Sequence, residues 1–429
     1  MEFTHRITLD LPGKVSGTER ISEVRQIADR PPAAKLRVLV YTTLFPGSVQ
    51  PVLGQFTLER MRHLLPFVDI TVIAPVPYFP RIKLNQRWFK FAVTPHTERF
   101  AGFEIDHPRY VVIPKVGMTT HGFSMFAGTL PQVWRRLRAA NYDLIDAQFI
   151  YPEGLAAVML GAFFKKPVVV SALGSDINVY PQLRMIRPLV KEALKRADAV
   201  ISVAQSLKDA MVDLGCSAEK VRVIPNGIDP ARFSRKPRLA ARLKLGLAPG
   251  RPTILSIGNL TRNKGFHVLV DAVEPLRVKH PNIMLVVIGD GECRSELIEQ
   301  IRSLGLEDNV QLIGARPHSE LPDWYSAADL FCLASEYEGC PNVVLEALAC
   351  GCPVVATRAG GIGDMVVSRA LGRLVERTPE AFESALHEAL GCDWDHKAIA
   401  EYGQSHALDK IATRLLDVYQ DVIARHKNR

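Results

Sequence analysis

The first half of this 429-residue chain has no cysteine: all seven, at positions 216, 293, 332, 340, 350, 352 and 392, lie in the second. An odd, unevenly placed set gives no disulfide framework and fits a reducing cytoplasm. Cys350 and Cys352 have no second Cys or His pair at zinc spacing, so no metal is expected there. Long apolar runs are missing as well. The longest, residues 155–164, is about half the ~20 residues a membrane-spanning helix needs, which excludes such a segment. Residues 1–36 intersperse Glu2, Asp10, Glu19, Glu23 and Asp29 with basic residues and lack an apolar core. They read as an N-terminal extension rather than a signal peptide, and the mature chain is expected to start where the sequence starts. No Gly-x-Gly-x-x-Gly follows the first apolar run, against a dinucleotide site, and no Asp-x-Asp follows a strand to hold a metal nucleotide.

What is present describes a globular protein of ordinary composition: 47% hydrophobic, 23% charged, 29 Gly and 29 Pro. At roughly 150 residues per domain, the length suggests two domains. The formal net charge of +8 is uneven. Residues 1–230 carry 29 Lys and Arg against 20 Asp and Glu; the remainder carries 24 against 25. A basic half suits nucleic acid, an anionic membrane or an acidic substrate, and no nucleic-acid-reading motif accompanies it.

Short β-branched runs alternate with amphipathic stretches. Residues 37–42, 69–74, 143–147, 167–172, 199–203 and 221–224 read as buried parallel strands, as do 253–257, 284–288, 310–313, 330–333 and 353–356 after the middle of the chain. Helical periodicity marks 54–65, 130–140, 154–164 and 185–196. The alternation predicts two doubly wound α/β domains, 37–230 and 231–404, divided within the Pro- and Gly-punctuated stretch 225–237. A final helix over 405–429 carries an apolar stripe that needs a partner, in either the second domain or the first.

The most informative text is ASEYEGCPNVVLEALACGCPVVATRAGGIGDMV, residues 334–366. After the strand 330–333, Pro341 takes a natural first helical position and Gly351 stops the helix. Gly339, Cys340 and Asn342 then offer backbone N–H groups at a helix N-terminus, suited to a diphosphate. Glu338 precedes that helix and Glu346 lies about one and a half turns inside it. Two carboxylates beside an anion site suit the O–H groups of a sugar.

Glu338-x7-Glu346 within EGCPNVVLEALACGCPVVAT closely resembles the signature of the retaining GT-B glycosyltransferases of family four (glycosyl transferases group 1). The likeness extends from about Arg37 through LFPGSVQPVLGQF, ALGSD at 172–176, IPNGID at 224–229, ILSIGNLTRNKGF at 254–266, VVIGDGECRSEL at 286–297 and LPDWYSAADLFCLASEYEG at 321–339. It implies GT-B architecture, two Rossmann-like domains facing across a cleft, the first on the acceptor side and the second binding the nucleotide sugar. It implies that Glu338 holds donor-sugar hydroxyls, that Glu346 holds the ribose, and that Lys264, with Arg262 nearby, neutralises the pyrophosphate. Gly54 would admit the diphosphate from the first domain, and the stretch from Ile313 to Arg316 would border the base. Gly339, Cys340, Pro341 and Asn342 complete the donor site.

This chain departs from the family at three points. Asn259 stands where many relatives have Arg, so Arg262 would supply that charge, and Gln148 and Leu173 stand where many have His. Leu173 cannot donate a hydrogen bond, which leaves Gln148 and Asp176 as the polar acceptor-side candidates. The implied activity is metal-independent, retaining transfer from a nucleotide-diphosphate sugar to a saccharide or lipid-linked acceptor in cell-envelope or exopolysaccharide assembly, with no cofactor. The alternatives are a non-catalytic sugar-nucleotide-binding protein and a sugar-nucleotide epimerase.

Residues 81–91, RIKLNQRWFKF, set Leu84, Trp88 and Phe91 on one helical face among Arg81, Lys83, Arg87 and Lys90. Arg135, Arg136 and Arg138 add a second basic cluster. The segment reads either as a contact for an anionic lipid surface on the inner face of a membrane, or as aromatic core anchors beneath a solvated face.

Overall fold

The structure, a computed structural model, describes residues 35–80, 86–112 and 117–428, residues 86 and 87 by their backbone alone. The N-terminal extension, and Arg81, Lys83 and Leu84 of the basic aromatic segment, lie outside these residues.

Two sheets organise the chain. The first contains β1 (Leu36–Tyr41), β2 (Val68–Ile73), β4 (Thr97–Phe100), β5 (Phe103–Asp106), β7 (Leu144–Gln148), β8 (Val168–Ala172), β9 (Ala199–Ser202) and β10 (Val221–Val223), in the order β10-β9-β8-β7-β1-β2-β5-β4. A small parallel pair, β3 (Val76–Pro77) with β6 (Arg109–Tyr110), lies beside it. The second sheet contains β11 (Thr253–Ile257), β12 (Met284–Ile288), β13 (Val310–Leu312), β14 (Leu330–Leu333), β15 (Val354–Thr357) and β16 (Gly372–Val375), in the order β13-β12-β11-β14-β15-β16. All neighbours pair in parallel except β4 and β5. The central strands are buried on both faces, which is why they read as unbroken Val, Ile and Leu rather than as alternating residues.

This is the doubly wound α/β class in two Rossmann-like units. The strand order reverses between β1 and β7 in the first sheet and between β11 and β14 in the second. Ligands of such sheets bind outside the carboxyl ends of the strands at these reversals. The loops after Tyr41, Gln148, Ile257 and Leu333 therefore border the two expected ligand crevices.

The first domain differs from the sequence reading in its details. Helix periodicity predicts a start at residue 130, whereas the helix runs His121–Ala139. Gly122, Gly128 and Pro131 break the apolar pattern, but a Cβ on Gly128 would meet the Arg109 carbonyl oxygen, so the glycine permits close packing on β6. The antiparallel β4-β5 edge was not legible because its short strands carry mixed polar residues.

The final helix, Leu408–Lys427, packs on the first sheet. Ile411, Leu415, Tyr419 and Val422 join Val38, Val40, Leu58 and Met61 in one buried cluster. Its Tyr419 hydroxyl donates to Asp146 Oδ2 on β7 at 2.8 Å.

Candidate active site

The second reversal carries the charged pair. Past β11 a short turn, Arg262–Lys264, presents Lys264, and past β14 a loop presents Glu338. Lys264 Nζ donates to Glu338 Oε1 at 2.5 Å, and Ser335 Oγ donates to the same oxygen at 2.6 Å. Any hydroxyl seeking Glu338 must meet its other oxygen or displace the lysine.

The Asn342–Ala349 helix begins one residue later than expected, with Pro341 as its N-cap. Asn226, from the Pro- and Gly-rich stretch between the domains, anchors this end. Its Nδ2 donates to the Cys340 carbonyl at 3.0 Å and to Asn342 Oδ1 at 2.9 Å, and its backbone N–H points at Cys340 Sγ, 3.3 Å away. Burial pushes the Cys340 thiol up to about 12, so it is a packing group rather than a nucleophile.

Glu346 is 4% exposed and both of its oxygens are engaged. Tyr325 donates to Oε2 at 2.8 Å, and His318 Nε2 lies 2.9 Å from Oε1. The contacts continue outward: Arg232 Nη1 lies 3.2 Å from His318 Nδ1, and Arg232 Nη2 lies 3.7 Å from Glu59 of the first domain. His318 also packs on the Phe233 ring, with centroids 4.9 Å apart.

These groups surround a cleft of about 670 Å³ between the domains. Gly54, Gln55, Phe56 and Arg60 line it from the first domain, and Arg316, His318, Asn342 and Glu346 from the second. Gly54 has φ +65, and a Cβ there would collide with the Leu44 carbonyl, so glycine alone allows this turn into the Gln55–Arg62 helix.

The two domains touch where ALGSD meets EGC. The space for a Cβ on Gly339 is taken by the Leu173 carbonyl oxygen, and Gly174, at φ +145, lies against Gly339 in turn. Asp176 shapes that loop: its carboxylate accepts from the N–H groups of Ile150 at 3.0 Å, Leu173 at 3.1 Å and Gly174 at 2.8 Å. It is fully buried, and burial raises its pKa to about 6. Gln148 is buried too, donating to Asp146 Oδ2 at 2.6 Å. Neither of these expected acceptor-side groups faces open space: the loop backbone claims the Asp176 carboxylate, and the enclosed Gln148 donates its amide N–H to the β7 carboxylate while its Oε1 has no hydrogen-bond partner among the described residues. Arg262 also departs from expectation: its side chain is 71% exposed and its guanidinium lies 3.7 Å from Glu296. Asn259 and Arg316 are exposed, Arg316 at the rim of the cleft.

Sequence reasoning missed His318, Tyr325, Arg232 and Arg60. Tyr325 and His318 stand 21 and 28 residues before Glu346, a separation at which no local periodicity connects them. Near the first reversal, Glu153 is a further missed carboxylate. It accepts from Thr43 Oγ1, its Oε2 has no partner among the described residues, and burial raises its pKa to about 7.

Elsewhere in the first domain, half-buried Trp88 packs tilted against Phe79 and edge-on to Phe91, with centroids 5.9 Å and 5.7 Å away. Phe91 and Lys90 line a separate cavity of about 290 Å³ with Phe45, Val49 and Tyr110. Among the described residues no helix is long and apolar enough to cross a membrane, and no three His, Cys, Asp or Glu side chains cluster as a metal site.

Two family profiles match: "Glycosyl transferases group 1" over residues 238–406 and "Glycosyltransferase Family 4" over residues 91–232. TuaC of Bacillus subtilis, named as a teichuronic acid biosynthesis glycosyltransferase, is 30% identical over 336 residues, covering 77% of this chain and 83% of its own. Alpha-monoglucosyldiacylglycerol synthase of Streptococcus pneumoniae is 27% identical over 298 residues, covering 66% and 67%. Among solved structures, sucrose-phosphate synthase from Thermosynechococcus elongatus superposes with a TM-score of 0.69 at 18% identity, covering 91% of this chain and all of the other. Anabaena HepE in complex with UDP superposes with a TM-score of 0.67 at 21% identity, covering 90% and 100%.

Proposed function

Because the chain belongs to the GT-B glycosyltransferases, we propose that it moves a sugar from a nucleotide-diphosphate sugar to a saccharide or lipid-linked acceptor, with retention at the anomeric carbon and without a metal ion. Relatives named for cell-envelope and polysaccharide biosynthesis support a place in such assembly. The observation that carries the reading is the Lys264–Glu338 pair, 2.5 Å apart and set at the strand-order reversal of the second sheet.

In this reading the nucleoside end of the donor occupies the cleft, with its ribose hydroxyls on Glu346 and its base near the 313–316 turn. Glu338 receives hydroxyls of the transferred sugar. As the bond from the anomeric carbon to the diphosphate breaks, negative charge grows on the leaving phosphate, and the fixed Lys264 ammonium stabilises it. The acceptor hydroxyl forms its bond on the face just vacated, and its proton passes to a phosphate oxygen of the donor. No protein base is then required, consistent with the burial of Gln148 and Asp176. Gly339, Cys340, Pro341 and Asn342 supply the helix N-terminus beside the diphosphate. Arg262, turned toward Glu296, serves the site only if its exposed side chain swings inward.

That burial also favours a second reading, a sugar-nucleotide-binding protein without transfer. One experiment separates them. UDP-, GDP- and ADP-sugars are screened for thermal stabilisation, since a ligand of the native state raises stability by RT ln(1 + [L]/Kd). Donors that bind are then incubated with lipid-linked and free saccharide acceptors in the presence and absence of EDTA. Transfer with retained configuration, undiminished by chelation, is the expected result. Binding without hydrolysis or transfer supports the second reading, strict metal dependence removes the metal-free mechanism, and no nucleotide-sugar binding sinks both.

A further inference from the structure

Among the described residues, the cleft contains a buried guanidinium whose donors are not met. Arg60 sits in the Gln55–Arg62 helix of the first domain, is 3% exposed and lines the cleft with Gly54, Asn226, Asn342 and Glu346. Its Nε and Nη2 have no hydrogen-bond partner among the described residues, and no carboxylate there lies within ion-pair distance of it. The carboxylates of the same cleft are all engaged. Glu346 holds Tyr325 and His318, Glu59 holds Arg62 at 3.0 Å, and Asp229 Oδ1 accepts from the Ala231 N–H at 2.9 Å. A buried guanidinium without a partner is costly, and a polar cleft keeps one where a ligand completes it. What it lacks is an anion with acceptor oxygens able to meet a planar donor fork.

We propose that Arg60 is the first domain's ligand for a phosphate of the nucleoside diphosphate, gripping from the side opposite the Asn342–Ala349 helix and Lys264. This deepens the donor-site reading and rests on it. A phosphate held jointly from both domains makes donor binding and domain apposition one event. Sequence patterning gave no hint of it, since Arg60 falls in an amphipathic helix where a basic residue reads as solvated.

The competing role is structural. Asp146 on β7 attracts Arg60 electrostatically, and its Oδ1 also lacks a partner. Arg60 would then be a buried counter-charge with no part in binding.

The test is calorimetric titration of the full chain with UDP, GDP and ADP, each against its nucleoside. For whichever diphosphate the wild type binds, Arg60→Gln is expected to weaken the diphosphate at least tenfold and the nucleoside by less than twofold. If Arg60→Gln does not fold, the double variant Arg60→Gln, Asp146→Asn, which removes both buried charges, takes its place with the same expectation. Unchanged diphosphate affinity, or an equal loss for nucleoside and diphosphate, overturns the proposal and leaves the counter-charge role. A wild type that binds none of the three diphosphates overturns the donor-site reading itself, and Arg60's role with it.

Discussion

His318 Nε2 lies 2.9 Å from Glu346 Oε1, so the carboxylate proposed for the donor ribose is oriented by a side chain of its own domain. Tyr325 holds the other oxygen. A carboxylate oxygen has two lone pairs, so these contacts orient Glu346 without exhausting it. Through Arg232 the same chain of contacts reaches Glu59 in the first domain, which ties this end of the cleft to the relative position of the two sheets.

Glu346→Gln is accordingly expected to weaken nucleoside diphosphate binding about tenfold, ~1.4 kcal/mol. Tyr325→Phe should cost about 1–3 kcal/mol of stability, because a buried carboxylate loses a donor. Calorimetric titration and denaturant melts measure the two effects, and undiminished nucleotide affinity in Glu346→Gln would remove that residue from the site.

At the Lys264–Glu338 pair the two variants should separate. Glu338→Gln keeps the shape but weakens recognition of sugar hydroxyls, so transfer should fall at least about tenfold, ~1.4 kcal/mol, while the free diphosphate still binds. Lys264→Ala should weaken the diphosphate itself. Steady-state rates and titrations on both proteins decide, and the reverse pattern would exchange the two assignments.

Glu153 gives a pH prediction. Its pKa is raised from 4.5 to about 7, first by burial, so the neutral form suits the fold. A raised folded pKa means a contribution fully present below pH 4.5 and lost as pH rises toward 7, on the order of 3 kcal/mol in all. Glu153→Gln, neutral throughout, should therefore gain on the wild type between pH 5 and pH 8. Thermal melts at both pH values test this; a stability difference that stays flat would show the group to be ionised throughout, and one that moves the other way would equally rule out a raised pKa.

The membrane proposal rests on the basic first half and on residues 81–91. Trp88 packs against Phe79 and Phe91, so part of the aromatic face is internal packing. Replacing Arg81, Lys83, Arg87 and Lys90 by Gln should release the protein from anionic vesicles at low salt and leave its melting temperature nearly unchanged. Flotation with vesicles containing phosphatidylglycerol reads this directly. A wild type that stays unbound ends the proposal, and a large stability loss on Trp88→Ala would assign the aromatics to the core.

Much of this protein was legible in its residues because the relevant signals are local. A buried strand announces itself as a short apolar run within a few consecutive positions, and β12 spans Met284–Ile288 as the sequence reading placed it. Glu338, Pro341 and Glu346 are linked by the geometry of one loop and one helix, so their spacing alone brings them to one edge of a sheet. The β4-β5 hairpin was not legible because its strands are short and mixed in polarity, and the early start of the His121–Ala139 helix was not, because close packing of Gly128 on β6 decides it.

The chain by itself determined the α/β class, the two-sheet organisation and the spacing of Glu338 and Glu346 about one helix N-terminus, with Lys264 added by the family resemblance. Only the tertiary structure decided which way the side chains face. It buried Gln148 and Asp176, turned Arg262 toward Glu296, brought His318 and Tyr325 to Glu346, and left Nε and Nη2 of Arg60 without a hydrogen-bond partner among the described residues. The reason is physical: strand and helix formation follow from the period of apolar residues along a short segment, whereas the partner of a polar group is whatever residue the packed sheets and crossing helices carry to within about 3 Å of it.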